Sequence, residues 1–233
     1  MAKKISERIR YGMPAVRIEQ DERGVRVRCR PALGAVTTFA ADRLICTLSF
    51  SVLRTIETHP AFSASKLRAI NALPYTSVAR VFVQLRERFW LARKEAGAVT
   101  TDLPIQEVYD DTATQPGTRG ILSSYSVGDR ARKMAGFGEG ERLAVMVREM
   151  EKVHAHVSDF VEGGESKCWD DDSWSRGDYC YFTPGQLTDL GPHLASAEGR
   201  VHFAGDHTSR WPGFMQGALE SGHRVAREVQ QAT

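Results

Sequence analysis

The sequence predicts a mixed fold of the α+β or α/β class, because strand-like and helix-like segments both occur along its 233 residues. Several runs within residues 1–50 alternate apolar with polar side chains, as half-buried strands do. Apolar residues recur every three or four positions between residues 139 and 160, which indicates an amphipathic helix. A short apolar run at 201–204 precedes a turn and a helix predicted over about residues 213–229.

Composition and charge exclude several classes of protein. Hydrophobic residues make up 42% of the chain, which is enough for a globular core and excludes disorder as the main state. The formal net charge of +2 provides no basic field for nucleic acid. No apolar run reaches the roughly 18 residues of a membrane helix, and residues 1–10 lack the apolar core of a signal peptide. We therefore expect a cytoplasmic protein that binds neither nucleic acid nor membrane, with its four cysteines buried and reduced.

Strands are predicted through the first part of the chain. Residues 16–18 and 25–29 alternate apolar with polar side chains, and residues 21–24 supply the turn between them. Residues 37–49 form a longer run with a continuous apolar centre at 44–46. This pattern predicts one strand that is buried on both faces.

The middle of the chain predicts a helix followed by two strands. Ser63 is a suitable N-cap for a helix over residues 63–72, which Pro74 ends. Residues 80–85 and 121–127 are rich enough in β-branched, aromatic and other apolar side chains to be strands.

Two stretches are predicted to be irregular. Residues 91–119 hold few apolar side chains and several turn formers, so loops with short strands are expected there. Residues 162–178 carry two adjacent glycines and three consecutive aspartates, which is typical of a surface stretch.

Three patterns that suggest other functions have simpler explanations. His154 and His156 are two residues apart and would point in different directions from a helix, so no metal site is predicted. Ser63 and Lys66 have the S-x-x-K spacing of penicillin-recognising enzymes, but the helix N-cap accounts for Ser63. The aspartates at 170–172 could bind a cation, although such a run is usually a solvated loop.

The segment 201–222 carries the most specific chemical pattern. Asp206 follows directly after the predicted buried strand, where a carboxylate can accept hydrogen bonds from ligand hydroxyl groups. Gly213 permits close approach of the backbone, and the free N–H groups of residues 214–216 lie at the positive end of the predicted helix. That end would stabilise the negative charge of a reduced flavin. An ordinary strand–helix turn with Asp206 as an N-cap fits the spacing equally well.

The stretch 203–222, FAGDHTSRWPGFMQGALESG, closely resembles the C-terminal FAD motif of the flavin-containing monoamine oxidase and L-amino-acid oxidase family. Further segments resemble landmarks of the same family in the family's order, namely residues 14–20, 79–90, 101–104, 124–129 and 179–186. The resemblance implies a substrate domain plus the C-terminal part of an FAD-binding domain, without the N-terminal Rossmann βαβ unit. Residues 1–50 would be returning strands of the FAD-binding domain, 51–185 the substrate domain, and 186–233 the last FAD-binding strand and helix.

The resemblance also implies which residues contact the cofactor FAD. Asp206, with Gly205 before it, would contact the ribityl or phosphate part, and Ala15 would touch the adenine end through its backbone. Backbone groups over residues 213–216 would face the pyrimidine edge of the flavin. These four residues are Gly213, Phe214, Met215 and Gln216.

Further residues are implied to act at the reacting centre. Phe214 and Tyr179 would form walls of an aromatic enclosure over the flavin, and Tyr109 would contact the substrate, with Asp110 as a competing candidate. Arg80 stands where the family usually has a lysine beneath the flavin. A guanidinium stays charged at any working pH, whereas a buried lysine can lose its proton. A substrate-anion role or a dehydrogenase-like activity is therefore open for Arg80.

The G-x-G-x-x-G segment that seats the FAD pyrophosphate in the family does not occur in the sequence. The nearest string, at residues 136–141, lacks the final glycine and does not follow a strand. We therefore expect that the chain does not hold FAD tightly alone, that a partner chain or second subunit supplies this half, and that the protein associates.

The predicted function is that of a component of an FAD-dependent amine or L-amino-acid oxidase. Hydride transfer from an amine carbon to the flavin would give an imine and hydrogen peroxide, with a small-molecule amine or amino acid as substrate. The alternative is a non-catalytic truncated homologue, or a subunit that pairs with a separate FAD-binding half.

Overall fold

The computed structural model describes residues 4–232, which form two compact units. Unit 1 combines the residues up to Pro74 with those from Tyr179 onward, and unit 2 is Tyr75–Asp178. Residues 1–3 and 233, which the expected segments 1–50 and 186–233 include, lie outside the described residues. The boundaries between the two units lie at 74/75 and 178/179, whereas the expected segments meet at 50/51 and 185/186. The assignment of these segments to a substrate domain and an FAD-binding domain stays a prediction.

Eleven strands and seven α-helices lie within the described residues. The strands are β1 (Ala15–Asp21), β2 (Gly24–Cys29), β3 (Thr37–Ala41), β4 (Leu44–Cys46), β5 (Glu57–His59), β6 (Val78–Leu85), β7 (Val99–Thr100), β8 (Glu107–Asp110), β9 (Gly120–Val127), β10 (Val161–Cys168) and β11 (Val201–Phe203). The helices are α1 (Phe50–Leu53), α2 (Ala64–Ala72), α3 (Phe89–Ala92), α4 (Asp129–Ala135), α5 (Glu139–Met150), α6 (Gln186–Leu194) and α7 (Met215–Gln231). No helix among them is long and apolar enough to cross a membrane.

Unit 1 contains two sheets. The first has the order β3-β2-β1-β5, with β5 parallel to β1 and the other pairs antiparallel. The β1–β2 hairpin confirms the first two predicted strands, and the Asp21 carboxylate fixes its turn by accepting the backbone N–H groups of Arg23 and Gly24. The second sheet contains the two parallel strands β4 and β11.

The prediction of one buried strand over residues 37–49 is wrong. The chain turns between Ala41 and Leu44, so that β3 pairs with β2 while β4 pairs with β11. β3 is largely exposed, and Ile45 in β4 keeps 41% of its surface exposed. Residues 37–49 therefore contribute to two different sheets, and the apolar centre at 44–46 belongs to β4 alone.

The predicted helix with Ser63 as its N-cap is confirmed. Ser63 Oγ accepts the backbone N–H of Lys66 at 3.2 Å, which satisfies one of the free donors in the first turn of α2. The helix ends at Ala72, two residues before Pro74, as the proline requires.

Unit 2 contains one antiparallel sheet in the order β10-β6-β9-β8-β7. Alternate residues of β6, such as Val81 and Val83, pack with α4 and α5 into the main core of the unit. The intervening side chains point to the opposite side of the sheet. We call this side the Arg80 face after its residues in β6, which are Arg80, Phe82 and Gln84.

Two expectations for unit 2 are wrong. The helix expected over residues 139–160 is α5 alone and ends at Met150, because the Glu151 carboxylate accepts the backbone N–H groups of His156 and Ser158 and turns the chain. The surface stretch expected from residue 162 is instead the strand β10 as far as Cys168. A Cβ atom at Gly164 would overlap the carbonyl oxygen of Phe82, so a glycine is needed where β10 pairs with β6.

Candidate functional site

The turn between β11 and α7 is built around Gly205. Its φ of 128° lies in a region that favours glycine, and an added Cβ would lie 2.5 Å from the ring of His207. The Gly205 N–H group donates a hydrogen bond of 2.9 Å to Ser221 Oγ in α7. β11, which is buried throughout, is therefore tied directly to the helix.

Asp206 closes the loop that follows. Its Oδ2 accepts the backbone N–H of Gly213 at 2.8 Å, and its side chain remains 35% exposed. α7 begins at Met215 and has no side-chain cap among residues 4–232. Asp206 is thus not the N-cap of α7, and one of its oxygens holds the glycine turn in place.

Gly213 brings Tyr179 together with the start of α7. Its φ is 80°, and an added Cβ would lie 3.3 Å from the Tyr179 side chain. Phe214 is 66% exposed beside it, and together with Trp211 and Gln216 it lines a hollow of about 330 Å³. The uncapped helix end and an apolar hollow therefore lie side by side, which suits a flat ring that gains negative charge.

The support of this turn includes residues that sequence reasoning missed. Arg224 donates hydrogen bonds to the carbonyl of Phe203 at 2.8 Å and to Thr208 Oγ1 at 2.9 Å. It also forms an ion pair with Glu228 one turn later. The four-residue spacing of Arg224 and Glu228 signals a helix ion pair, but no sequence signal identifies the partners in β11 and the turn.

Burial shifts the pKa values of three side chains near the turn in the direction that favours their neutral forms. Burial lowers the pKa of His207 to about 4, although the nearby Asp206 carboxylate opposes the shift. Burial also raises the pKa of the Cys180 thiol to about 12 and lowers the pKa of Lys66 to about 8. His207 and Cys180 are therefore uncharged at neutral pH. Lys66 stays protonated there and donates to the carbonyl of Leu194 at 3.0 Å.

Ala15 lies elsewhere in unit 1. It begins β1 and pairs with Cys29 across the hairpin. Its predicted contact with the adenine end of FAD stays a prediction, as do the predicted roles of the residues around Gly213.

Arg80 lies in unit 2, on the face of the sheet away from α4 and α5. Its Nη2 donates to Ser123 Oγ at 2.5 Å and lies 3.6 Å from the Asp111 carboxylate. The guanidinium carbon is 5.0 Å from the centre of the Phe82 ring and 5.8 Å from those of Tyr109 and Tyr125. The charge therefore lies among three aromatic rings.

The structure separates the two candidates for substrate contact. Asp110 is committed within unit 2, since Oδ2 accepts the indole N–H of Trp90 at 3.0 Å and Oδ1 accepts the N–H and hydroxyl of Thr112. Tyr109 points to the Arg80 face, is 41% exposed and donates its hydroxyl to Glu107. That hydrogen bond raises the pKa of Tyr109. Tyr109 is thus the better placed of the two.

The histidines singled out in the sequence are not brought together as metal ligands. The buried His154 hydrogen-bonds to the carbonyl of Gly97 through Nε2 at 3.1 Å, and His156 is exposed at a positive φ of 64°. Across the part of the chain that the structure describes, no group of three His, Cys, Asp or Glu side chains could hold a metal ion.

The fold matches solved amine oxidases. Cyclohexylamine oxidase from Brevibacterium oxydans IH-35A aligns with a TM-score of 0.85 at 23% identity, over 99% of this chain and 51% of that one. A structure of wild-type putrescine oxidase bound to putrescine aligns with a TM-score of 0.85 at 20% identity, again over 99% and 51%. At these identities the likeness shows the fold alone.

Sequence similarity to curated proteins points to the same family as the fold does. The protein YobN of Bacillus subtilis (strain 168) is 37% identical over 229 residues, which are 95% of this chain and 48% of that protein. The L-amino-acid oxidase of Echis ocellatus is 25% identical over 238 residues, or 100% of this chain and 47% of that protein. The chain thus spans about half the length of the curated relatives it matches. Since the model of the flavin-containing amine oxidoreductases matches residues 1–230, the chain belongs to that family.

Proposed function

We propose that the chain is a component of an FAD-dependent amine or L-amino-acid oxidase. The observation that supports this most is the Asp206–Gly213 hydrogen bond, which holds a glycine turn directly before the uncapped start of α7. The exposed helix end beside exposed aromatic rings is able to receive a planar ligand that carries negative charge.

The residues around the turn fit a flavin. Backbone N–H groups at Met215 and Gln216 would lie at the positive end of a 17-residue helix, where negative charge is stabilised. The oxygen of Asp206 that does not bind Gly213 is available to a hydroxyl group. Phe214 and Tyr179 would provide apolar walls.

The chemistry that a bound FAD supplies is acceptance of a hydride from the carbon bearing an uncharged amine, which gives an imine, with oxygen as the final acceptor and hydrogen peroxide as product. The chain's own contribution would be to position the flavin and the substrate and to exclude water from the site. Exposed aromatic side chains such as Phe214 would favour the neutral amine over its ammonium form. In unit 2, Arg80 and Tyr109 would contact the substrate.

We further propose that a segment with the family's G-x-G-x-x-G motif completes the flavin site, whether it lies in the same polypeptide or in another. Support comes from the side of α7 away from β11, where apolar residues are exposed at helical spacing. Met215 is 87% and Leu219 is 52% exposed. A sheet of only two parallel strands, β4 and β11, also favours further covering structure, because parallel sheets are normally buried on both faces. The protein would act in the cytoplasm as part of an oligomer.

The second candidate function is a non-catalytic subunit of such an assembly. The observation in its favour is Arg80, which stands where the family usually has a lysine and cannot lose its proton. This candidate predicts that flavin is bound without peroxide production.

The first test is the visible absorbance of the chain after gel filtration. We expect a colourless protein alone, and a flavin band when the chain is produced together with a polypeptide that carries the G-x-G-x-x-G segment. Gly213→Ala is the matched control, because its Cβ would press on Tyr179 at a positive φ and should weaken flavin retention. Peroxide formed with an amine or amino acid would favour the oxidase, and a flavin band without peroxide the subunit. Stoichiometric flavin on the chain alone would overturn the need for the second segment, and no band in either case would overturn the proposal.

A further inference from the structure

The Arg80 face carries a groove of about 560 Å³ within unit 2. Its walls include the apolar side chains of Phe82 and Ile121, while Glu162 and Glu165 also line it and Glu162 pairs with Arg119. The strand register places Gln84 opposite Ile121 and Arg80 opposite Tyr125. Arg80 and the groove walls therefore lie on one side of the sheet. Phe82 belongs to both, since it lines the groove and lies 5.0 Å from the guanidinium.

The Arg80 guanidinium has unused hydrogen-bonding capacity. Its Nε is buried and has no hydrogen-bond partner within residues 4–232, whereas Nη2 donates to Ser123. A guanidinium carries five N–H donors, and a buried donor without an acceptor costs free energy. An acceptor from a ligand would remove that cost.

The charges around Arg80 leave it able to take an anion. Asp111 forms an ion pair with Nη2 at 3.6 Å, a separation that is too long for a hydrogen bond. Glu107 is engaged by the Tyr109 hydroxyl, and Lys167 pairs with Asp172. Three aromatic rings lie around the guanidinium, and the Arg80 side chain keeps 29% of its surface exposed, so that a ligand can reach it. A planar carboxylate matches the guanidinium fork with two parallel hydrogen bonds, which Asp111 does not form here.

We propose that Arg80 binds the carboxylate of the substrate and that the adjoining groove takes its apolar side chain, so that the substrates are α-amino acids with large apolar side chains rather than simple amines. That the bound carboxylate belongs to a substrate rests on the proposed function. The binding itself requires unit 2 and no flavin.

The test uses the full chain without flavin and three probes: 3-phenylpropanoate, phenethylamine and acetate. Binding is followed by calorimetry and by the Nε–Hε resonance of Arg80 in ¹⁵N-labelled protein, which needs no variant. We expect 3-phenylpropanoate to bind and to shift that resonance. Acetate, which lacks the apolar part, should bind more weakly than 3-phenylpropanoate by about tenfold or more. Phenethylamine, which lacks the carboxylate, should leave the resonance unchanged.

Variants locate the contact. Arg80→Gln should weaken 3-phenylpropanoate binding about tenfold or more, and Arg80→Lys, which keeps the charge but loses the fork, should fall between the two. The matched control is Arg86→Gln, because Arg86 also lies over an aromatic ring, that of Phe160, but in an exposed position. The Arg86→Gln variant should bind 3-phenylpropanoate as tightly as the unaltered chain does.

Three results would overturn the proposal: equal binding of the carboxylate and the amine, binding that Arg80→Gln leaves intact, or an Arg80 resonance that does not move. Acetate binding as tightly as 3-phenylpropanoate would remove the groove from it. Because no flavin takes part, these outcomes are independent of the absorbance test above. A flavin-loaded, peroxide-producing assembly indifferent to Arg80→Gln would overturn this inference alone.

Discussion

Asp206 provides a test of the turn at the level of one residue. Replacing it with alanine removes the acceptor for the Gly213 N–H, and we expect the free energy of unfolding to fall by about 1 kcal/mol or somewhat more, since the acceptor is charged. Asp206→Asn keeps an acceptor oxygen and should lose less. Urea unfolding of the three proteins measures the difference. Equal stability of the alanine variant and the unaltered chain would show that the hydrogen bond does not hold the turn.

His207 predicts a dependence of stability on pH. Its pKa is lowered to about 4 in the folded chain, against a usual value near 6.5. The unfolded chain therefore binds this proton first as the pH falls. Stability is unaffected above pH 6.5 and declines by up to about 1.4 kcal/mol per pH unit until about pH 4.

His207→Phe is the matched variant for that prediction, because an aromatic ring can keep the contact with Phe50, whose centre lies 4.6 Å from the imidazole. Carboxylates also titrate in this range, so the readout is the difference in urea unfolding between the two proteins at each pH. The variant should lose less stability on acidification. Parallel curves would contradict the buried, neutral histidine.

At the scale of elements, two glycines in α7 predict opposite effects. A Cβ at Gly217 would overlap the carbonyl oxygen of Trp211, so Gly217→Ala should push the helix off its support and cost about 1 to 3 kcal/mol. Gly222 has nothing within 4 Å of its added Cβ, so Gly222→Ala should stabilise the helix by up to about 1 kcal/mol. Thermal unfolding of both variants tests this. Shifts of equal sign would show that helix propensity, not close packing, dominates at Gly217.

Local signals explain which elements could be predicted. The α2 helix was predictable because its cap at Ser63 and its stop at Pro74 lie within the segment, and β6 because its side chains favour a strand. β10 was missed because its glycines and charges are typical of a loop, while its pairing with β6 depends on contacts distant in sequence. The early end of α5 depends on the side chain of Glu151, which spacing does not reveal.

The same division applies to the candidate site. Asp206 and Gly213 could be found because a turn after a strand has its own sequence signals. The commitment of Asp110 to Trp90 and the support of Gly205 by Ser221 join different elements, so only the fold reveals them. The strand pairing also places Tyr109 on the Arg80 face, whereas Asp110, the competing candidate, accepts the indole N–H of Trp90.

For the whole molecule, the two units predict independent folding of unit 2. Its ends meet, because the N–H of Asp178 donates to the carbonyl of Thr76 at 2.9 Å, and it contains a core of its own. A fragment of residues 75–178 should therefore unfold cooperatively in urea, as followed by circular dichroism. A fragment of residues 75–160, which lacks β10, is the control and should not. A longer fragment without cooperative unfolding would contradict the division.

The meeting of chain ends has a counterpart in unit 1, where the N–H of Tyr181 donates to the carbonyl of Pro74 at 3.1 Å. The polypeptide leaves unit 1 and returns to it at neighbouring residues, so residues 75–178 form an insertion between two junctions. Such an insertion can be exchanged as a cassette, because neither junction interrupts a strand or helix of unit 1. Natural variation in one unit can then accumulate by recombination while the other keeps its sequence.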